Sequence, residues 1–383
     1  MVRGNGIKRS ETIETGFPCL RYGEIYTSFD VILDKPRSFV PKELFDRSVK
    51  IKKGDLVFTL TGENTEEIAK ALAFLGDYEI AAGGDLAVWT GHGCDSKYLA
   101  YLMYSPQLIS QKAATGNGNI VVHTSIKKLQ QLEIPLPSLS VQREIVARLE
   151  RELAAVEKIK KDLEALVETA KADYVAECRV IFERIAQEHP KVSLDDACEF
   201  IKDGTHQTPT YTDDIYRGYK FLSSKDVVTG EIDWSKIRYI PKSLHDELYL
   251  HVAPQRGDIL LAKNGTTGIG ALVETDEVFD IYVSLALLRF KAGNNPRYLW
   301  YAVNSPQARE QYNAGLRGSG VPNLHLTEIR KVHICLPSVQ IQDKVVSELD
   351  AIKARAEKLE AKAREGVAVC ETMRKAILKE AFE

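Results

Sequence analysis

Cysteine is sparse in this chain of 383 residues. Its six cysteines (Cys19, Cys94, Cys178, Cys198, Cys335 and Cys370) form no CxxC pair and no metal spacing, which argues against a disulfide framework and for reduced, cytoplasmic thiols. His92, Cys94 and His123 are too far apart in the chain to suggest a metal site. Long apolar runs are also missing: the longest, at 282–288, falls far short of the roughly 18 residues a membrane span needs, so no membrane contact is expected. The first ten residues are polar and basic, without the apolar core of a signal peptide. Nor is there an excess of one charge, since 51 Lys and Arg face 54 Asp and Glu for a net charge of -3. Any nucleic-acid binding must therefore come from local patches rather than global basicity. Aromatics are few at 8%, and Trp89 and Trp300 fall in core-like segments, so stacking on single strands is not the favoured mode.

Catalytic equipment is absent as well. No Asn/Asp-Pro-Pro-Tyr/Phe run exists to grip a flipped adenine, no glycine-rich strand–loop–helix offers a cofactor site, and no Gly-x-x-x-x-Gly-Lys-Ser/Thr binds a nucleotide triphosphate. The nearest nuclease-like pair is Asp258 with Lys263, but a second carboxylate at suitable spacing is missing, and the related segment has Asp55 with Leu60 or Thr61 instead. A turn-forming Gly-Asp before a strand explains both. Gly265-x-x-Gly268-x-Gly270 opens no helix and reads as a tight loop able to approach a phosphate. Neither cofactor nor metal is expected, and the chain is not expected to be an enzyme.

What is present is a repeat. Leu136-Pro137-Ser138 returns as Leu336-Pro337-Ser338, Ser105-Pro106-Gln107 as Ser305-Pro306-Gln307, and Tyr98-Leu99 with Tyr101 as Tyr298-Leu299 with Tyr301, all at an offset of 200. Gln142 through Val146 recurs as Gln342 through Val346, and Gly54-Asp55 pairs with Gly257-Asp258 at an offset of 203. A period this long means two whole domains rather than a solenoid, with pseudo-two-fold symmetry and two similar sites. The tails of the repeats match closely and the fronts diverge, as expected of one frame reading two targets.

Each repeat ends in a long helical pattern. No proline or glycine lies between Pro137 and Pro190, and apolar or small residues recur in steps of three and four from Ile145 through Leu149, Leu153, Val156 and on to Ile185. A helix over 140–187 would be about 70 Å long at roughly 1.5 Å per residue, so it needs a partner of similar length. The series Val345, Leu349, Ile352, Ala356 to Ile377 supplies one, with Gly366 its weak point at about 1 kcal/mol relative to alanine. An antiparallel coiled coil follows. Buried strands are expected at 55–60, 86–89, 258–262 and 284–290, and short helices near 96–104 and 296–303. A strand at 192–200 should open the second domain; its counterpart is missing from the first, which starts about nine residues late, as though clipped or begun upstream.

The twice-occurring Leu-Pro-Ser-x-x-x-Gln-x-x-Ile/Val-Val that opens a long helix resembles the specificity subunit of Type I restriction-modification systems. So do Asp203-Gly204-Thr205-His206, Gly257-Asp258-Ile259-Leu260 running on to Lys263-Asn264-Gly265-Thr266-Thr267-Gly268, and Ile377-Leu378-Lys379-Glu380-Ala381-Phe382. The resemblance covers essentially the whole chain. It implies a mixed α/β (α+β) fold of two similar target-recognition domains, at 1–137 and 189–337, joined by two long antiparallel coiled-coil helices, at 138–188 and 338–383. It also implies a cytoplasmic, non-catalytic subunit that reads a bipartite asymmetric double-stranded DNA target and docks two methyltransferase (modification) subunits and restriction subunits. Two departures stand out. The chain stops at Glu383, where members usually run on a little, and Thr59-Leu60-Thr61-Gly62-Glu63 is acidic where the second copy has Thr266.

Base edges in the major groove are distinguished by Arg or Lys on guanine and Asn or Gln on adenine. The loops that offer such groups carry Lys8, Arg9, Arg21, Tyr22, Thr59, Thr61, Asn117 and Asn119 in the first domain. In the second they carry Thr205, His206, Gln207, Ser223, Ser224, Lys225, Lys263, Asn264, Thr266, Arg317 and Ser319. Gln142, Arg143, Gln342 and Asp343, at the helix starts, are candidate docking residues. Two alternatives remain: a self-contained nuclease or methyltransferase on a duplicated DNA-binding scaffold, and an assembly protein that has lost DNA specificity.

Overall fold

A computed structural model of the chain describes residues 1–118, 121–227, 230–316 and 323–383. The chain divides into two compact units, Met1–Glu164 with Arg364–Glu383, and Ala165–Ala363. In unit 1 a five-stranded sheet runs in the order Val2–Arg3, Leu86–Trp89, Leu56–Thr59, Ala71–Phe74, Ile32–Leu33. Beside it lies a sheet of Ser38–Val40, Phe17–Leu20, Ile80–Ala82 and Lys50–Ile51. Unit 2 repeats the plan with Cys198–Asp203, Leu285–Phe290, Ile259–Ala262 and Gly270–Leu272, and with Arg238–Ile240, Tyr219–Leu222 and Phe279–Ile281. The strands Leu56–Thr59 and Ile259–Ala262 are buried at every position, as their unbroken apolar runs require. Each is entered through the Gly-Asp turn: Gly54 and Gly257 have φ of 92° and 93°, while Asp55 and Asp258 accept the amides of Lys52 and Gln255, both at 2.8 Å.

The opening strand of unit 2 is not continuous. Lys191–Ser193 pairs with His333–Cys335, a helical turn Leu194–Ala197 intervenes, and Cys198–Asp203 then joins the main sheet. Ser193 causes the break: its hydroxyl accepts the amide of Asp196, an N-cap that ends the extended run. In unit 1 the corresponding strand is Val2–Arg3 alone, paired with Val88 and Ala87.

The two long helices are Leu139–Glu188, of 50 residues, and Val339–Glu380, of 42 residues. Both units contain a stretch of each. In unit 1, Lys160 pairs with Glu371 and Leu163 packs against Gly366; in unit 2, Arg184 pairs with Glu348 at 2.6 Å and Glu177 with Arg355. Within each unit one residue number rises as the other falls, so the two stretches run antiparallel. Val146, Leu149, Leu378 and Ala381 join the unit 1 core around Tyr98, Leu102 and Phe58. Phe182, Ile185, Val345 and Leu349 do the same around Tyr298 and Leu299 in unit 2. No helix among the described residues is long and apolar enough to cross a membrane.

The fastenings of this frame are duplicated at the sequence offset of 200. Gln142 Oε1 accepts the amide of Asp95 at 2.9 Å and its Nε2 donates to the Pro137 carbonyl at 2.8 Å; Gln342 does the same with Asn295 and Pro337 at 2.8 and 2.9 Å. Asp95 and Asn295 in turn cap the short helices Ser96–Leu102 and Pro296–Asn304. Tyr98 donates to the Pro135 carbonyl and Tyr298 to that of Cys335, while Lys97–Glu150 is matched by Arg297–Asp350.

Candidate nucleic-acid interface

In each unit one short backbone connection collects the recognition loops. In unit 2 it is 282–284. Thr205 donates its amide to Ile281 O at 3.2 Å and accepts that of Val283 at 3.0 Å. Tyr282 donates to Leu222 O at 2.8 Å, bringing Ser223, Ser224 and Lys225 alongside, and the Ser224 amide donates to the Ser284 hydroxyl at 3.0 Å. Lys263 donates its amide to Ser284 O at 2.9 Å, and Leu324 donates to Lys263 O at 2.8 Å. Three loops named from the sequence thus meet on one segment. Arg317 and Ser319 lie outside the described residues.

Unit 1 uses 83–85 the same way. Asn5 donates to Ala82 O at 3.0 Å, Gly83 to Leu20 O at 2.8 Å, Leu60 to Asp85 O at 2.8 Å, and Thr124 to Leu60 O at 3.0 Å. Arg21 and Tyr22 follow Leu20; Asn117 is bridged to His123, which pairs with Thr61. Asn119 lies outside the described residues. Both units need a glycine where the opening strand passes beneath this segment. A Cβ on Gly204 would sit 1.9 Å from Ile281 O, and one on Gly4 would sit 2.1 Å from Gly83 O.

Burial sorts the named residues. Lys8, Arg9, Tyr22, Asn117, His206, Gln207, Lys225 and Thr266 are exposed, and Arg21, Thr205, Ser223, Ser224 and Asn264 are partly so. Thr59, Thr61 and Lys263 are buried. The Thr59 hydroxyl is shared with Tyr26 at 2.9 Å, that of Thr61 with His123 Nδ1 at 3.2 Å, and Lys263 Nζ donates to Asp203 Oδ2 at 2.6 Å. These three side chains are taken up inside the protein, so they brace the loops rather than face outward. The loop 263–268 closes through Gly265 and Gly268, with φ of 74° and 72°. Asp258 and Lys263 lie at opposite ends of their strand in separate ion pairs, Asp258 with Arg289 at 2.7 Å. At the helix starts, Gln142 and Gln342 are 3% and 1% exposed, because both ends of each amide are bonded internally; Arg143 and Asp343 are exposed.

Ser284 and His251 in unit 2 and Asp85 in unit 1, which the sequence reading passed over, complete the sites, together with Asp203 of the family-like Asp203–His206 motif, Arg3 of the amino-terminal loop, and His123, set aside as a metal ligand. Arg3 stands at Asp203's place and donates to Gly84 O at 2.7 Å and Asp85 Oδ1 at 3.3 Å; the offset of 200 was the available signal. A cavity of about 310 Å³ lies behind the Asp203–Gln207 loop, walled by Glu247, His251 and Asp280. Burial pushes the Asp280 carboxyl up to about 6, although His245 at 2.7 Å pulls the other way.

A family model for the Type I restriction modification DNA specificity domain matches residues 42–169 and 191–367, most of both units. The chain belongs to this family. It is similar to the Type I restriction enzyme EcoBI specificity subunit of Escherichia coli, with 24% identity over 75% of this chain and 66% of that one. It is also similar to the MjaVIII specificity subunit of Methanocaldococcus jannaschii, with 23% identity over 81% and 75%, and to the EcoKI specificity subunit of Escherichia coli, with 22% over 90% and 77%. Among solved structures it resembles a chain of a type I R-M system, with a TM-score of 0.67, 18% identity and coverage of 91% and 87%. The HsdS subunit of Thermoanaerobacter tengcongensis gives 0.51, 18%, and 91% and 85%. These two likenesses establish the fold: mixed α/β, two similar domains and two long helices.

Proposed function

We propose that the chain is the specificity subunit of a Type I restriction-modification complex, a cytoplasmic, non-catalytic subunit reading a two-part double-stranded DNA target. The observation that carries this is the pair of loop clusters gathered on 83–85 and 282–284, alike in backbone bonding and different in the side chains they expose. Similar scaffolds with different polar surfaces suit the reading of two different half-sites, because base identity is read by side chains and register is set by backbone and phosphate contacts. Residues 1–137 and 189–337 are the two reading domains, and 138–188 and 338–383 the helices between them. Lys8, Arg9, Arg21, Tyr22 and Asn117 contact one half-site. Thr205, His206, Gln207, Ser223, Ser224, Lys225, Asn264 and Thr266 contact the other, while Thr59, Thr61 and Lys263 hold the loops.

The chain docks methyltransferase subunits, and restriction subunits join them; Arg143 and Asp343 are the docking residues, with Gln142 and Gln342 fixing the helix starts that present them. With a net charge of -3, the chain leaves much of the phosphate attraction to those subunits. The test is the genome-wide adenine methylation of cells expressing this chain with its methyltransferase partner. A split motif of two short halves around a fixed gap is expected, whereas a continuous motif, or none, overturns the reading.

A further inference from the structure

The loop that leads out of the reading cluster in unit 2 carries a tip that unit 1 does not have. Its stem is common to both units. The Thr212 amide donates to Tyr239 O at 2.9 Å, as that of Ile13 does to Phe39 O at 2.9 Å. A crowded glycine closes each loop: a Cβ on Gly218 would lie 2.7 Å from Asp214 O, and one on Gly16 would lie 2.7 Å from Val40 O. Between these anchors unit 1 has only Glu14 and Thr15, whereas unit 2 has Asp213, Asp214, Ile215, Tyr216 and Arg217. The longer tip is built around Asp214. Its Oδ1 accepts the amides of Tyr216 and Arg217, both at 3.1 Å, its carbonyl accepts that of Gly218 at 2.8 Å, and its own amide donates to the Thr212 hydroxyl at 3.2 Å. Such an Asx turn fixes the backbone and leaves its side chains outside: Ile215 is 55% and Tyr216 93% exposed. The same loop rests on the reading cluster. Tyr211 packs edge-on against Phe221, which packs against Tyr282 of the gathering segment 282–284, each pair with ring centroids 6.1 Å apart. Two exposed arginines accompany the tip: Arg217 follows Tyr216, and Arg238 lies over the Tyr211 ring at 4.6 Å.

We propose that Tyr216 is a specificity-determining residue of unit 2: with Ile215 it meets the 5-methyl group of a thymine in the major groove, while Arg217 and Arg238 bind neighbouring phosphates. This rests on the DNA-reading role proposed above. Two bare apolar side chains held side by side gain by covering another apolar group, and the thymine methyl is the apolar group that the major groove presents. The ring makes this contact, so the phenol hydroxyl is dispensable for it. The two guanidiniums, and the packing of the loop on Tyr282, favour a duplex over a protein as the surface the tip meets. Unit 1 has nothing equivalent, since Glu14 and Thr15 offer no apolar group of this size and Glu14 brings a carboxylate that phosphates repel.

The experiment uses the full chain assembled with its methyltransferase subunits. Bound sequences are selected from a randomised duplex library. Each thymine of the selected motif and its flanks is then replaced singly by deoxyuridine, which removes the methyl group and keeps the base pair. In wild type, one thymine in or beside one half-site should be enriched, and its replacement should weaken binding about fourfold. Tyr216→Ala, a substitution at an exposed position, should lose that enrichment and bind the thymine and deoxyuridine duplexes alike, with the other half-site untouched. Tyr216→Phe should behave as wild type. Exchanging 213–217 for the Glu14-Thr15 pair of unit 1 should reproduce the alanine result. Arg217→Gln should weaken binding to every sequence and flatten its salt dependence without altering the motif. A wild-type motif with no thymine that responds to deoxyuridine, or a Tyr216→Ala protein that keeps the thymine preference and the methyl effect, overturns the assignment. So does a Tyr216→Phe protein that behaves like the alanine variant, or a Tyr216→Ala protein that keeps the motif but no longer retains the methyltransferase, which would make the tip a protein contact. Absence of a split motif from wild type sinks the DNA-reading role itself and is distinguishable from these.

Discussion

Unit 1 and unit 2 agree wherever a bond holds the backbone and differ wherever a side chain faces away from it. The Gln142 and Gln342 bridges, the Tyr98 and Tyr298 hydroxyls and the loop-gathering amides recur at matching positions with distances that differ by about 0.1–0.2 Å or less in most pairs. At the mouth of each loop cluster the chemistry is inverted: Arg3 with Asp85 in one, Asp203 with Lys263 in the other. A scaffold that keeps its fastenings and swaps the charge of its reading edge can diverge in target without repacking its core.

The sharpest way to break that comparison is at the glycines under the loops. Gly204→Ala would place a methyl 1.9 Å from a backbone oxygen that cannot turn away, at the end of the six-residue strand Cys198–Asp203 whose Ile201 lies in the core. A loss of more than about 3 kcal/mol is expected in denaturant unfolding of unit 2, with the loop cluster displaced. Gly4→Ala meets a similar obstacle at 2.1 Å, but its strand is only Val2–Arg3, with both residues exposed. Unit 1 should yield by releasing that strand, losing amide protection at Val88 rather than global stability. Equal losses in the two variants would show that the short strand matters as much as the long one.

Next in size are the bridging amides. Gln142→Leu and Gln342→Leu each strand a buried backbone amide and a proline carbonyl, at a cost of about 2–4 kcal/mol apiece. Both variants should melt earlier and yet, while folded, still bind the methyltransferase. Arg143→Glu should do the opposite, leaving the melting temperature unchanged and abolishing co-purification. A Gln142→Leu protein that melts normally but fails to assemble would restore the glutamine as a docking residue.

This division between bracing and presenting was only half legible in the sequence. The long helices announced themselves through the stretch free of proline and glycine after Pro137, and the strands after Gly54 and Gly257 through turn chemistry and unbroken apolar runs, because these are local signals. Gln142 and Lys263 read as polar residues in polar-looking surroundings, and Thr59 as a DNA contact even though it falls within the expected buried strand at 55–60. Their burial is set by Asp95, Asp203 and Tyr26, which are 47, 60 and 33 residues away in sequence, and no local pattern records that. The offset of 200 sets Arg3 opposite Asp203, so part of this lay in the sequence, but only the ion pairs of the two units give that alignment its meaning.

A pH experiment separates the units by a smaller effect. Lys112 is buried in unit 1, where unit 2 has Tyr312. Burial, with nearby Lys70 adding to it, pushes its ammonium down to about 8. The ammonium therefore gives up its proton at a lower pH in the folded state than in the unfolded chain. Below about pH 8 the folded protein carries the full cost of the buried charge, and stability rises with pH between there and the unfolded value near 10.5. Relative to Lys112→Met, wild type should gain on the order of 2–3 kcal/mol over that window. Unfolding free energies of the two proteins that run parallel from pH 7.5 to 10.5 would show that the ammonium is hydrated after all.

Gly366 marks the smallest difference. The sequence reading made it a flaw in the second helix, but the unit 1 geometry gives it a use: a Cβ there would come within 2.8 Å of Leu163 Cδ1, so the glycine lets the two helices approach closely. Gly366→Ala gains up to about 1 kcal/mol of helix propensity. It also pushes a leucine methyl that can rotate, at a cost of about 0.5–1.5 kcal/mol if the rotamer is strained. The two terms nearly cancel, so the melting temperature should move by no more than a few degrees. Adding Leu163→Ala should uncover the propensity gain, because the obstructing methyl is gone; in that background Gly366→Ala becomes stabilising relative to Leu163→Ala alone. If it instead remains neutral or destabilising there, close helix approach is not what Gly366 provides.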